Sequence, residues 1–276
     1  MKNPVRMLFV FVLGLMVQSI ASISAAHYDL YLLAGQSNMD GRGKASDLTE
    51  AQRQPFERAI IFYRNPPHDS KEWKPLAPGY SIAPGYKGGL PSTTFGPEIG
   101  FALAMTKEKP GVQLALIKGS KGGTSLAKDW NPGARGEAAS QGPCYRNFVE
   151  TIRLATNALL RAGHTFQWRG LLWHQGESDA GSTAKVYQQR LTNFVTRLRE
   201  DIGQPDLPVI VGEVFDNGKR DSINQALRAF AAGHARFGLV SAEGTKTWDN
   251  GTHFDAASQL ILGERYARAM LKLNQP

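Results

Sequence analysis

Cysteine is nearly absent: Cys144 stands alone among 276 residues, which excludes an intramolecular disulfide and any cysteine-rich zinc site. Beyond the N-terminus, no apolar run approaches the ~20 residues that cross a bilayer. Basic residues form no run and no aromatic-basic motif, so the formal net charge of +8 does not announce nucleic acid. It reads as a solvated surface that keeps the protein soluble. The chain has no Gly-x-Ser-x-Gly elbow, and its Gly-rich segment lacks the Gly-Lys-Ser/Thr order of a phosphate loop. His174 and Glu177 share an HxxE spacing, but a catalytic zinc needs about three protein ligands and no second cluster supplies them, so no metal is expected. There is no repeat and no second composition regime.

What remains is an ordinary globular chain, 42% hydrophobic and 20% charged. It opens on Lys2 and Arg6, an uncharged, mostly apolar stretch from Met7 to Ile20, and small residues at Ser24-Ala25-Ala26. That order is a secretory signal peptide. Cleavage after Ala26 removes Lys2 and Arg6, lowers the net charge from +8 to +6 and leaves 27–276 as one domain, secreted or periplasmic. No stable membrane insertion is expected after cleavage.

Candidate strands cover 28–34, 59–63, 112–117, 170–173, 208–214 and 237–242, each a short apolar run bounded by turn residues. Between them, Phe148, Ile152, Ala155 and Leu159 share one helical face, as do Tyr187, Leu191, Phe194, Val195 and Leu198. A last helix starts at the N-cap Asp255 and turns Leu260, Ile261, Ala267 and Leu271 inward. The alternation predicts an α/β fold with a mostly parallel sheet covered on both faces. Residues 64–94 and 119–143 are Pro-, Gly- and Ser-rich loops of the length that often carries function.

Ligands of such sheets bind beyond the carboxyl ends of the strands. Three unusual segments follow strands: Gly35-Gln36-Ser37-Asn38-Met39, Gly119-Ser120-Lys121-Gly122-Gly123-Thr124-Ser125 and His174-Gln175-Gly176-Glu177-Ser178. A fourth, Asp249-Asn250-Gly251-Thr252-His253-Phe254, opens the last helix. Ser37 is either a nucleophile on a tight turn or an N-cap. His253 is either its base or a capping histidine, and His174 reads as a satisfied histidine at a strand end. The Gly-rich segment suits backbone N–H donation to an oxyanion.

Taken together, and with Phe95-Gly96-Pro97-Glu98, these motifs resemble the sialate O-acetylesterase-like group (SASA). It includes carbohydrate esterase family 6, acetylxylan esterases of the SGNH hydrolase superfamily. The resemblance spans nearly all of 27–276. It implies a three-layer α/β/α sandwich and removal of acetyl groups from carbohydrate hydroxyls without metal or organic cofactor. It maps Ser37 as nucleophile and His253 as base, with oxyanion donors from the backbone of Ser37 and of Gly123 or Gly122, and from the Gln175 side chain. The family places an aspartate three residues before the histidine, where this chain has Asn250. Glu177, which matches the family's other acid, is the expected orienting partner of His253, with Asp249 and Asn250 as alternatives. The expected substrate is an acetylated polysaccharide, acetylxylan first and O-acetylated sialic acid second. Asn250 alone supports the alternative of a non-catalytic carbohydrate-binding protein on a decayed hydrolase scaffold.

Overall fold

A computed structural model describes residues 25–249 and 251–275. Most of the expected signal peptide, residues 1–24, and the candidate Asn250 lie outside the described residues.

Six parallel strands form the body of the sheet: β1 (His27–Gly35), β2 (Ala59–Asn65), β3 (Leu114–Ser120), β4 (Thr165–His174), β5 (Val209–Gly212) and β6 (Phe237–Val240). Their spatial order is β6-β5-β4-β1-β3-β2, and the short antiparallel segments His68–Asp69 and Lys74–Pro75 pair with β2. β4 is longer than its apolar stretch suggests because its first half, Thr165 to Arg169, carries polar residues near the surface. The chain leaves β1 toward β2 on one side and leaves β4 toward β5 on the other. The carboxyl ends of β1 and β4 therefore flank a topological switch point, the place where ligands of open α/β sheets bind.

Alternation along β1 divides the core. Leu30, Leu32 and Ala34 face α2 (Pro143–Arg161), α3 (Ala184–Asp201) and α4 (Asp221–Ala232). Tyr31 and Leu33 face α1 (Glu98–Glu108) and α5 (Ala256–Leu273). The architecture is thus a three-layer α/β/α sandwich. Pro143 begins α2 at a position where its missing N–H costs nothing. Thr183 caps α3 by accepting from the Val186 N–H, and Asp255 caps α5 by accepting from that of Ser258.

α2 and α3 bury the expected faces. α5 is rotated from expectation: Ala256, Gln259, Leu262, Gly263, Tyr266, Ala267 and Met270 are buried, while Leu260, Ile261 and Leu271 are only partly so. The reason is a close helix crossing. A Cβ on Gly263 would lie 2.2 Å from the Pro97 carbonyl oxygen, so α1 can seat only against that bare stripe of α5. α1 and α4 lie outside the helices expected. α1 is apolar nearly all round its sequence, whereas α4 buries Ile223, Ala226, Leu227 and Phe230 at ordinary helical spacing.

Candidate active site

β1 ends level with Ser120 of β3 and His174 of β4. Its last residue must be glycine: Gly35 has φ 147°, and a Cβ there would fall 2.1 Å from the His174 carbonyl oxygen. The chain then turns sharply. Gln36 N–H donates to His174 O at 3.0 Å, Lys121 N–H donates to Gly35 O at 3.1 Å, and Ser37–Asp40 makes one helical turn closed by Gly41 N–H on Ser37 O. Ser37 is 4% exposed, and among the described residues neither its hydroxyl nor its N–H has a hydrogen-bond partner.

So short a helix cannot hold itself. Asp40 anchors it: its carboxylate accepts from Arg42 Nη1 (2.7 Å), Tyr63 Oη (2.8 Å), Ser120 Oγ (2.9 Å) and Ile82 N (2.9 Å). Lys118, fully buried, donates to the Asp40 carbonyl, the Tyr80 carbonyl and the Glu98 carboxylate. Part of the long 64–94 loop is thereby pinned beneath the serine.

Asn38 joins this turn to the loop carrying His253. Its Nδ2 donates to Thr252 O at 2.9 Å, and its Oδ1 accepts from Phe254 N at 3.1 Å, so it grips the chain on both sides of His253. Arg220 holds the same loop from the other direction, donating to Gly251 O (2.8 Å) and Thr252 Oγ1 (3.2 Å). His253 Nδ1 lies 2.6 Å from Asp249 Oδ2. The other oxygen, Asp249 Oδ1, accepts from the backbone N–H groups of Thr252 (2.9 Å) and His253 (2.8 Å). Partial burial works to raise this carboxyl, but those three donors outweigh it and hold Asp249 below the ordinary aspartate value.

The expected pairing of Glu177 with His253 is not what the fold builds. Glu177 follows β4 beneath the Ser37 turn, where Oε1 accepts from Asn38 Nδ2 and Oε2 is enclosed without a partner. Burial pushes its carboxyl above the ordinary glutamate value, only partly opposed by its own backbone, Asn38, Arg220 and the Gly176 backbone. Nδ1 of His253 is already taken by Asp249.

Gln175 also departs from expectation. Three acceptors lie within reach of its amide nitrogen: Gln36 Oε1 (3.1 Å), Thr124 O (3.1 Å) and Asp179 Oδ2 (2.7 Å). The Tyr187 hydroxyl lies 2.7 Å from the Gln175 backbone carbonyl and 3.0 Å from the Gln175 side-chain oxygen, both acceptors of its one hydrogen. A fully buried amide with two hydrogens and three acceptors has no donor left for an oxyanion. It acts instead as a strut: Asp179 also accepts from Leu126 N and Ala127 N, which fixes the Gly-rich loop. That loop brings Gly122 against the serine. A methyl on Gly122 would meet Arg42 Nη2 at 2.8 Å and Ser37 Cβ at 3.4 Å. Around Gly123 the space is open, and neither glycine's N–H has a partner among the described residues.

His174 is a structural residue. Tyr266 Oη donates to Trp173 O at 2.9 Å, so it accepts from His174 Nδ1–H at 3.0 Å. Nε2 is left without a partner, and burial lowers the imidazole's pKa to about 3. Among the described residues no three His, Cys, Asp or Glu side chains converge as a metal site would require. Sequence reasoning quoted Asn38 but gave it no role. Asp40, Arg42, Asp179 and Arg220 carry no signal in the sequence, because apart from the local Arg42–Asp40 pair the partners that give them their roles come from distant segments.

The family model for carbohydrate esterases described as sialic acid-specific acetylesterases matches residues 27–272. A probable carbohydrate esterase of Arabidopsis thaliana is 26% identical over 258 residues, covering 88% of this chain and 90% of that protein. Among solved structures, an Arabidopsis thaliana protein aligns with TM-score 0.67 at 21% identity, covering 88% of this chain and 98% of that one. NanS aligns with TM-score 0.65 at 18% identity, covering 91% and 98%. A carbohydrate acetylesterase from Xanthomonas citri aligns with TM-score 0.59 at 16% identity, covering 89% and 56%. These structural likenesses concern the fold.

Proposed function

Since this chain belongs to the carbohydrate esterase, sialic acid-specific acetylesterase family and is thus a carboxylic ester hydrolase, we propose that Ser37, His253 and Asp249 form its catalytic triad. The observation that carries this reading is the Asn38 clamp, which fastens the Ser37 turn to a loop whose histidine is already held by an aspartate. Asp249 fixes the tautomer with hydrogen on Nδ1, leaving the Nε2 lone pair to take the Ser37 proton. Ser37 Oγ attacks the acetyl carbonyl, and the negative charge gathers on the former carbonyl oxygen. The N–H groups of Ser37 and of Gly122 or Gly123 meet that charge. Collapse expels the sugar oxygen, which takes the proton from His253. Water then gives a proton to His253 and attacks the acetyl-serine; collapse breaks the bond between Ser37 Oγ and the acyl carbon, Ser37 takes the proton back from His253, and acetate leaves. Asp249 in this place removes the reason for reading a decayed scaffold, which rested on Asn250.

The substrate is an O-acetylated carbohydrate. Acetylxylan is the first reading. O-acetylated sialic acid is the second, favoured by Arg42, whose Nη2 beside Gly122 suits a sugar carboxylate. The N-terminal signal pattern supports export to the periplasm or exterior. The test is acetate release from acetylated xylan, pectin, chitin oligomers and sialosides, with Ser37→Ala as control and a fluorophosphonate to label the nucleophile. Loss of turnover in the folded alanine variant and adduct mass on Ser37 are expected. Normal turnover in that variant, or labelling elsewhere, refutes the assignment.

A further inference from the structure

One aromatic side chain in this site is used by no step above. Trp248 is 56% exposed, and it is the only aromatic among the large hydrophobics that the described residues leave on the surface; Leu103, Leu160 and Val186 lie singly on helices. Scattered aliphatics of that kind need no explanation, whereas a bare indole does. Its place is specific. Thr247 and Phe254 form an antiparallel bridge, and Trp248 N–H donates to His253 O at 3.0 Å, so Trp248 and His253 are cross-strand neighbours with side chains on one face. The indole and imidazole planes are within 16° of parallel, with centroids 5.8 Å apart. The offset leaves most of the indole open next to the imidazole edge.

We propose that Trp248 is a stacking platform for a pyranose ring of the substrate, holding the acetylated sugar or its neighbour beside His253. A pyranose presents axial C–H groups on its faces and hydroxyls around its rim. A flat, rigid aromatic surface takes the first while leaving the second in water, and Trp does so with few rotatable bonds to order. Because backbone bonds at both 248 and 249 hold the loop, the platform keeps a fixed height relative to the base. It would therefore select for carbohydrate acetates over small acetates, which are too short to reach it. The inference rests on the esterase reading above.

The test compares kcat/KM for the acetylated oligosaccharide that wild type deacetylates fastest with kcat/KM for ethyl acetate, in wild type, Trp248→Ala and Trp248→Phe. In Trp248→Ala the ratio of the two is expected to fall about tenfold, equivalent to ~1.4 kcal/mol. Most of the loss should lie in KM for the sugar, and Trp248→Phe should recover the greater part. Thermal melts of each variant confirm folding. In the Ser37→Ala background, the oligosaccharide Kd should weaken by a similar factor on Trp248→Ala. Equal losses on both esters overturn the proposal, because Trp248 then acts only by steadying His253; an unchanged ratio with unchanged rates overturns it as well. If wild type cleaves ethyl acetate but no acetylated sugar, the platform falls while Ser37 chemistry stands. If it cleaves neither, the esterase reading itself fails.

Discussion

Replacing Asp249 by asparagine separates the two acids near His253. The carboxylate has two duties, divided between its oxygens: Oδ1 accepts two backbone N–H groups, and Oδ2 accepts from His253 Nδ1. An asparagine can keep only one arrangement. Its carbonyl must stay on the two N–H donors, since turning the amide round would set a donor against two donors. The NH2 group then faces Nδ1 and forces the imidazole to present a lone pair there. The hydrogen moves to Nε2, and the base proposed above can no longer accept the Ser37 proton. The expected loss in kcat is ~10³–10⁴, in line with the same exchange in a trypsin-type triad. KM should change little, because both Asp249 oxygens are occupied by the loop and by His253 and the exchange acts on the base's tautomer.

Glu177→Gln is the companion change. Glutamine keeps an oxygen for Asn38 Nδ2, and burial already raises this carboxyl's pKa. Its expected cost is less than about tenfold in kcat, on the scale of one retained neutral hydrogen bond. Initial rates on an aryl acetate at pH 8, with kcat and KM resolved, measure both variants, and thermal melts confirm that each is folded. A Glu177→Gln enzyme crippled by a thousandfold, beside a nearly active Asp249→Asn enzyme, would refute the assignment of the acid and the tautomer argument with it.

Two further outcomes follow from the buried surroundings of the serine. Gly122→Ala sets a methyl 2.8 Å from Arg42 Nη2, which is tied through Nη1 to Asp40, so the loop must shift away from Ser37; kcat should fall about tenfold or more with a small change in melting temperature, and an unchanged kcat would remove this loop from the oxyanion site. His174 remains neutral when folded until about pH 3 but takes a proton near 6.5 when unfolded, so the unfolded state binds more protons in that window. Its contribution is present above pH 6.5 and is lost as pH falls toward 3, on the order of a few kcal/mol. His174→Gln should lower stability at neutral pH and flatten the acid limb of chemical-denaturation curves; an equally steep limb would assign it to other groups.

The fold was legible where burial and periodicity agree. The central strands and the faces of α2 and α3 are apolar in the patterns that their layers require. α5 departs from the expected face at Leu260, Ile261 and Leu271, though not at Ala267, because the contact is set by Gly263, which hydropathy ignores. The four site segments were legible because each ends a strand or opens a helix. The roles of Glu177 and Gln175 were not, because both depend on partners supplied by distant segments: Asn38 for one, Thr124, Asp179 and Tyr187 for the other. Asp249 stood only as an alternative to Glu177, because the resemblance puts the acid three residues before the histidine and Asp249 lies four before it. Gly251 adopts φ 83° in the loop and Asp249 gathers the N–H groups of residues 252 and 253, so the four-residue spacing closes on the imidazole.

The same dependence on distant partners explains why so much charge lies beneath Ser37. Lys118 and Glu98 are both fully buried, and a buried ion pair is weak evidence of added stability because desolvation opposes the attraction. Here it has a positional use. Lys118 takes the Asp40 and Tyr80 carbonyls, which a turn of four residues and an irregular loop would otherwise leave unpaired in the core. Glu98 Oε1 takes the Gly96 N–H just before α1. Asp40 collects four donors from four segments and so fixes the turn in place from below. Asn38 fastens it from the side to the His253 loop. The Ser37 side chain is left out of every one of these bonds, so the rigidity falls on the turn's backbone while its hydroxyl has no partner among the described residues. A hydrophobic filling could hold similar volume, but it would leave the turn's carbonyls unpaired and the serine's position set only by loose packing.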